Sequence, residues 1–407
     1  MKYFSFLAAA LVLHYAALGQ FRTPAQQQIF TNEDSLNSGI SRSKTVISGY
    51  GSAFYERDFY NKSAVAGLDR AVLFVGHQFN RKIAFFSEME VENAVASSGA
   101  KGEIAMEQAF LKFNLNPRQY IVAGLFIPRI GILNENHLPV NFNGVQRPLV
   151  ETQVIPATWR EVGVGFYGSS HNLPLNYSVA VLNGLHSENF RHGTGIVDGR
   201  AEGSLANAEN LAITASLQCY TGNFKFQVSG YMSGTVGLRR RQADSLDLNS
   251  GTFGTPLYLS EANVQWAADG FSARALGVFI YYPEADKINS AFASNIAQSM
   301  YGAYGEFGYD WLYHRKKKSQ FITFARYDII DMNATIPSNG LADGTIKQNN
   351  LLLGFGYLPI PNVVIKADVR LLSTGEQNPL LLINPSPNAL PYQRNNTFLN
   401  LGIGYSF

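Results

Sequence analysis

Arg129, Glu135, Arg147, Glu151, Arg160 and Glu161 gather in and beside one irregular stretch of this sequence, RIGILNENHLPVNFNGVQRPLVETQVIPATWRE, at 129–161. Opposed charges at such a spacing have two uses. Facing one another across an aqueous gap, they set up a field that sorts solutes by charge. Paired with one another, they pin the stretch in place. Spacing alone leaves both open. Other chemistry has less support. His77, His137, His171, His186, His192 and His314 show no metal-ligand spacing, so neither a metal nor a cofactor is expected. Hydrolysis needs a nucleophile, a base and an orienting group brought together, and no grouping of Ser, His and acid stands out.

A charged, irregular stretch has to be held by regular elements, and the sequence supplies them as strands. Period-two alternation recurs from Thr45 to the end, with no long amphipathic helix. Strands are expected near 45–56, 69–79, 83–93, 103–115, 119–127, 159–168, 175–183, 209–221, 224–235, 257–268, 271–282, 298–312, 319–330, 348–358, 363–373 and 396–407. Glu107 and Gln108 break the alternation of the fourth, which predicts a bulge there. Hairpin turns such as Gly222–Asn223 and Asp269–Gly270 alternate with long connections at 128–158, 184–208, 236–256, 283–297, 331–347 and 374–395, and the alternation is expected to run without exception. Short turns on one side and long loops on the other are the rhythm of an all-β, transmembrane antiparallel β-barrel of about sixteen strands.

The two faces of the strands agree with that reading. At 363–371, Val363, Ile365, Ala367, Val369 and Leu371 oppose Val364, Lys366, Asp368 and Arg370. A polar interior inside an apolar exterior inverts the soluble barrel and fits a water-filled lumen surrounded by lipid. The inward charges would be Lys225, Arg274, Arg326, Lys366 and Arg370 against Glu88, Glu90, Glu92, Glu261, Glu306, Asp310, Asp328 and Asp368. Glu88, Glu90 and Glu92 form a stripe that would favour cations if unpaired, and Asp368 is expected to pair with its flanking Lys366 and Arg370. Gly163 and Gly165 should leave room on the inner face for a folded loop. The aromatic residues at strand ends, Tyr281 with Tyr282, Tyr309 with Trp311, and Trp266, read as interface girdles.

The ends of the chain add a compartment. Lys2, an apolar run from Phe4 to Leu13, and small residues at Ala17 and Gly19 read as a signal peptide over 1–19, too short to span a bilayer. Residues 20–44 are polar and lack periodicity, and they read as a flexible periplasmic lead-in to a barrel over 45–407. With 37 Gly, 28 Phe and 21 Tyr but only 15% charged residues, turn and strand formers outweigh helix formers, and a net charge of +2 gives no case for nucleic acid. Cys219 alone cannot make an internal disulfide. RKKK at 315–318 reads as solvated turn charge. The last strand, TFLNLGIGYSF, must close against the first, since an open edge in hydrocarbon leaves backbone groups unpaired. Its Tyr405 and Phe407 resemble the C-terminal recognition signal of outer-membrane proteins, which the barrel assembly machinery reads.

The segment FNGVQRPLVETQVIPATWRE, together with the layout of loops, resembles bacterial porins related to the phosphate-selective porin O and P group. The resemblance implies a passive diffusion channel for small hydrophilic solutes or ions in the outer membrane of a Gram-negative bacterium, surrounded by lipid and lipopolysaccharide and commonly a homotrimer. It also implies a third external loop, here 128–158, that folds inward and narrows the channel. Phosphate selectivity would call for a dense basic ladder, and the inward tally favours acids instead. A substrate-specific nutrient channel is the nearest alternative. A barrel enzyme lacks a triad, and an importer with a plug domain would need a far longer N-terminal segment.

Overall fold

The computed structural model describes residues 20–30, 44–94, 102–206, 208–234, 238–315, 318–381 and 392–407. The expected signal peptide, Lys316 and Lys317 of the basic turn, and 382–391 lie outside the described residues. A short helix, α1 (Pro24–Phe30), precedes sixteen strands: β1 (Thr45–Asp58), β2 (Ser63–Gln78), β3 (Ile83–Glu92), β4 (Ile104–Asn116), β5 (Gln119–Phe126), β6 (Glu161–Ser169), β7 (Leu175–Asn183), β8 (Leu211–Thr221), β9 (Phe224–Gly234), β10 (Pro256–Ala268), β11 (Phe271–Tyr281), β12 (Ser299–Asp310), β13 (Gln320–Thr335), β14 (Lys347–Ile360), β15 (Val363–Thr374) and β16 (Asn395–Ser406). Each strand pairs antiparallel with its sequence neighbours, and β16 returns to β1 to close the barrel.

Closure depends on the final residues. Tyr50 to Asp58 pair with Ser406 to Phe398. The terminal Phe407 then exchanges two backbone hydrogen bonds with Gly49, of 2.9 and 2.8 Å. The faces divide as the alternation requires. Leu401, Ile403 and Tyr405 are exposed on the outside, whereas Asn400 and Ser406 of the same strand are buried. Phe271 packs on Tyr309 with ring centroids 4.4 Å apart, and Tyr309 meets Trp311 edge-on at 5.1 Å beside the 269–270 turn. Tyr282 departs from that pattern: it is buried against Phe190, a loop aromatic, with centroids 5.7 Å apart.

Two expectations are corrected here. The first connection is a four-residue turn at 59–62, because β2 begins at Ser63, and this breaks the short-long rhythm. The run SAVAGLD is small and weakly alternating, so its strand character comes from pairing with β1, where a register shift at Ser52/Ala53 accommodates it. Residues 24–30 are not a loose lead-in. In a helix Ala25 and Ile29 fall on one face, and both are fully buried against the barrel wall. Gln26 caps the turn by accepting from the Thr23 N–H (3.0 Å), and Lys112 of β4 donates its ammonium to the Ile29 carbonyl.

The predicted bulge is present. Glu88 pairs with Gln108 and the next residue, Met89, with Met106, so Glu107 is the extra residue. A bulge lets two successive side chains take one face, and Glu107 and Gln108 are both buried on the inner side.

Phe407 provides the test of closure. Deleting it, or substituting Phe407→Asp, removes two hydrogen bonds or an apolar outer contact from the closing seam. The folded, heat-modifiable band in outer-membrane fractions should fall while export to the periplasm is unchanged; normal assembly of the truncated chain would refute the role.

Candidate functional site

The connection between β5 and β6 carries the charged stretch, and its contacts span the barrel. Inner-face glycines give it room. A Cβ at Gly404 would lie 2.4 Å from Pro139, one at Gly402 2.8 Å from Val145, and one at Gly302 2.8 Å from Val150. These, rather than Gly163 and Gly165, are the glycines that the segment approaches. A Cβ at Gly165 would instead meet Tyr167 at 2.7 Å and Phe126 at 3.4 Å.

Polar contacts then fix the segment to strands far apart in the barrel order. The Lys366 ammonium donates to the carbonyls of Phe142 (2.7 Å) and Gly144 (2.8 Å) and sits 3.7 Å above the Phe142 ring. Asp368 accepts from the Val145 N–H (2.7 Å) and from Asn400 (2.7 Å). The expected pairing of Asp368 with Lys366 and Arg370 therefore does not form, because segment and neighbouring strand supply better donors. Arg370 turns to Glu56 at 3.3 Å. Asn143 donates to Glu306 (2.9 Å), Arg274 to the Asn141 carbonyl (3.1 Å), and Gln227 to the Gly131 carbonyl (3.0 Å). Arg326 is fully buried, with Nε 3.0 Å from Asp328 and Nη1 3.5 Å from Glu306.

Most of the candidate charges within the stretch are occupied in pinning it. Glu151 accepts from the N–H groups of Ile132 and Leu133, both at 2.7 Å, and from the Tyr304 hydroxyl at 2.6 Å. Burial raises its pKa, and the three donors oppose that rise. Arg129 pairs with Glu135 at 2.7 Å and lies 5.3 Å from the centre of the Tyr167 ring. Arg160 pairs with Glu202 at 2.9 Å, and Glu161 accepts from Asn183 at 2.7 Å and from Trp159 at 3.3 Å.

Arg147 differs. It is buried, its Nη2 has no hydrogen-bond partner, and burial followed by the neighbouring Arg70 depresses its pKa. It lines a cavity of ≈ 280 Å³ between the segment and β1, β2 and β16, together with Asp69, Arg70, His137, Gln146 and Lys366.

The acidic stripe of β3 is not a free cation surface. Glu88 and Glu90 are buried, and Arg70 holds Glu90 at 3.1 Å. Glu92, at the strand end, stays partly exposed, 3.9 Å from Arg70. Glu88 instead meets His137 of the segment, with Nε2 3.1 Å from its Oε1, while Glu107 lies 3.4 Å from the same nitrogen. Burial, the largest influence, and Arg147 press the His137 pKa down, but the two carboxylates outweigh them and hold it at about 9. Sequence spacing gave no hint of this grouping, because its members come from β3, the β4 bulge and the segment. The bulge at Glu107 was the one available signal.

No family model matches this chain. An uncharacterized protein of Aquifex aeolicus (strain VF5) is 28% identical over 368 residues, 87% of this chain and 78% of that protein. Among solved structures, the anion-selective porin from Comamonas acidovorans superposes with a TM-score of 0.55 at 10% identity, covering 89% of this chain and 99% of its own. OmpF of Salmonella typhi, in complex with daunomycin, superposes with a TM-score of 0.55 at 12% identity over 89% and 97%. The fold is that of bacterial outer-membrane porins. At these identities the likeness is one of porin architecture, and the side chains described above belong to this chain.

Glu151 offers a direct measure of pinning. Glu151→Ala strands two buried N–H groups and the Tyr304 hydroxyl, at a cost of about 2–4 kcal/mol. The urea midpoint of the detergent-refolded barrel, followed by tryptophan fluorescence to which the buried Trp159 contributes, should drop accordingly. Glu151→Gln keeps an acceptor for the two N–H groups and should recover most of the loss.

Proposed function

We propose that this protein is a passive diffusion channel of the outer membrane, in which the 128–158 segment folds into the lumen and narrows it. One observation carries the reading: a single connection is bonded to the polar inner faces of β3, β9, β11, β12 and β15, strands that only a segment lying across the lumen can reach together. The porin architecture and the resemblance of FNGVQRPLVETQVIPATWRE to porins of the phosphate-selective O and P group support the same reading. That resemblance also makes a homotrimer the assembly to test, by crosslinking in detergent.

Charge preference is assigned to the cavity rather than to the acidic stripe. Its lining carries Arg147 and Lys366, and also Arg70 and Asp69, of which Arg70 is paired with Asp69 and Glu90. In a narrow passage walled by low-dielectric protein, such an excess raises the local concentration of anions. A second reading, a channel for one class of small anionic nutrient, draws on the same cavity: Arg147 Nη2 is a buried donor with no partner and would be satisfied by a solute carboxylate or phosphate oxygen.

Planar-bilayer recording tests both readings. Deleting most of 128–158 while keeping the strand ends should raise single-channel conductance and weaken discrimination between small anions and cations. Arg147→Glu should move the reversal potential in a salt gradient toward cation preference. Unchanged conductance in a well-folded deletion would overturn the constriction, and an unmoved reversal potential would remove Arg147 from the path.

A further inference from the structure

We propose that Glu88, Glu107 and His137 form a binding site for a divalent transition-metal cation of the zinc type, which clips the 128–158 segment to the barrel wall. One ligand atom from each of the three lies within 4.8 Å of the others, and all three residues are buried. The separations suit a shared ion. With metal–ligand bonds of about 2.0–2.1 Å, the edge of a tetrahedral site is about 3.3 Å. The His137 nitrogen lies 3.1 Å from Glu88 Oε1 and 3.4 Å from Glu107 Oε2.

The imidazole is oriented for the task. His137 Nδ1 lies 3.1 Å from the Asn134 carbonyl, an acceptor only, so the N–H belongs on Nδ1. Without a metal, Nε2 carries a second proton shared with the two carboxylates; once that proton is displaced, its lone pair faces their oxygens at 3.1 and 3.4 Å. Such a face needs a cation, and a backbone carbonyl fixing the remote ring nitrogen is the usual support of a metal-bound histidine. Glu88 is steadied in turn by Gln108, whose Nε2 donates to its other oxygen at 2.6 Å.

Glu107 supplies an independent observation. It is fully buried on the β4 bulge, and neither carboxylate oxygen has a hydrogen-bond partner. Arg160 comes no nearer than 3.9 Å and bonds Glu202 at 2.9 Å instead. A buried carboxylate without donors is costly unless something positive meets it. The alternative to a metal is a second proton on His137, bridging the two carboxylates. Entry is provided for, because His137 lines the ≈ 280 Å³ cavity.

The test uses the full-length barrel, folded in detergent, stripped with chelator and then supplied with ZnCl₂ alone. The wild-type chain should retain one zinc per chain through gel filtration, and cobalt(II) should develop the visible absorption of a low-coordinate site. Glu107→Gln and His137→Asn should each weaken retention by about 10–100-fold. Glu107→Gln preserves the shape of the side chain, and its heat-modifiability is compared with that of wild type, so that loss of metal in a folded variant is not a loss of structure. Folded wild-type protein that retains no zinc, or a Glu107→Gln variant that holds it equally well, would overturn the site and leave a protonated imidazole between the carboxylates. Metal content is read without any channel measurement, so this result and the conductance result fail independently.

Discussion

Everything in this molecule depends on the seam where β16 meets β1. A strand edge left open in hydrocarbon would expose unpaired N–H and C=O groups at several kcal/mol each. Gly49 and Phe407 extend the pairing to the last residue. Once the sheet is a closed ring, every strand has an inside and an outside, and residue parity alone decides whether a side chain faces outward or inward. The alternation of Leu401, Ile403 and Tyr405 with Gly402 and Gly404 is the sequence trace of that constraint.

Closure in turn creates an interior lined with charge, and burying charge is expensive unless it is paired. The 128–158 segment supplies much of the pairing. Its backbone carbonyls take the Lys366 ammonium, its Val145 N–H meets Asp368, and its Asn143 amide meets Glu306. The inner glycines of β12 and β16 bring the segment close enough for those bonds. Wall and segment are therefore one electrostatic unit: removing the segment would strip each of these buried charges of hydrogen bonds, at about 1.5–3 kcal/mol for a bond to a charged group.

The fold was legible in the sequence because period-two alternation and turn chemistry are local signals. Sixteen strands form as the alternation requires, with β2 alone starting well before its expected bounds, and the broken parity of EIAMEQAFLKFNL marked the bulge at Glu107. What was not legible depends on tertiary partners. The extra half of β2 has no strong pattern of its own and forms because β1 is beside it. PAQQQIF is too short to declare a helix, and it becomes one through the burial of Ala25 and Ile29. Within the site, the stretch itself stood out by its charges, but their partners did not. Glu88 looked like part of an exposed stripe until His137 covered it, and Asp368 looked paired to its sequence neighbours until Val145 reached it.

The docking of the N-terminal residues carries a consequence for the order of folding. Phe21 donates its N–H to Asn141 and accepts from Asn136 and Asn141, across sequence separations of 115 and 120 residues. Neither surface of that contact exists until the segment is seated and β1 to β3 are joined. The entropy of closing so long a loop is met by few bonds, so it is repaid only on a preformed scaffold. Residues 20–30 are thus expected to find their place late. Amide deuterium should therefore be taken up at 20–30 well before any strand exchanges.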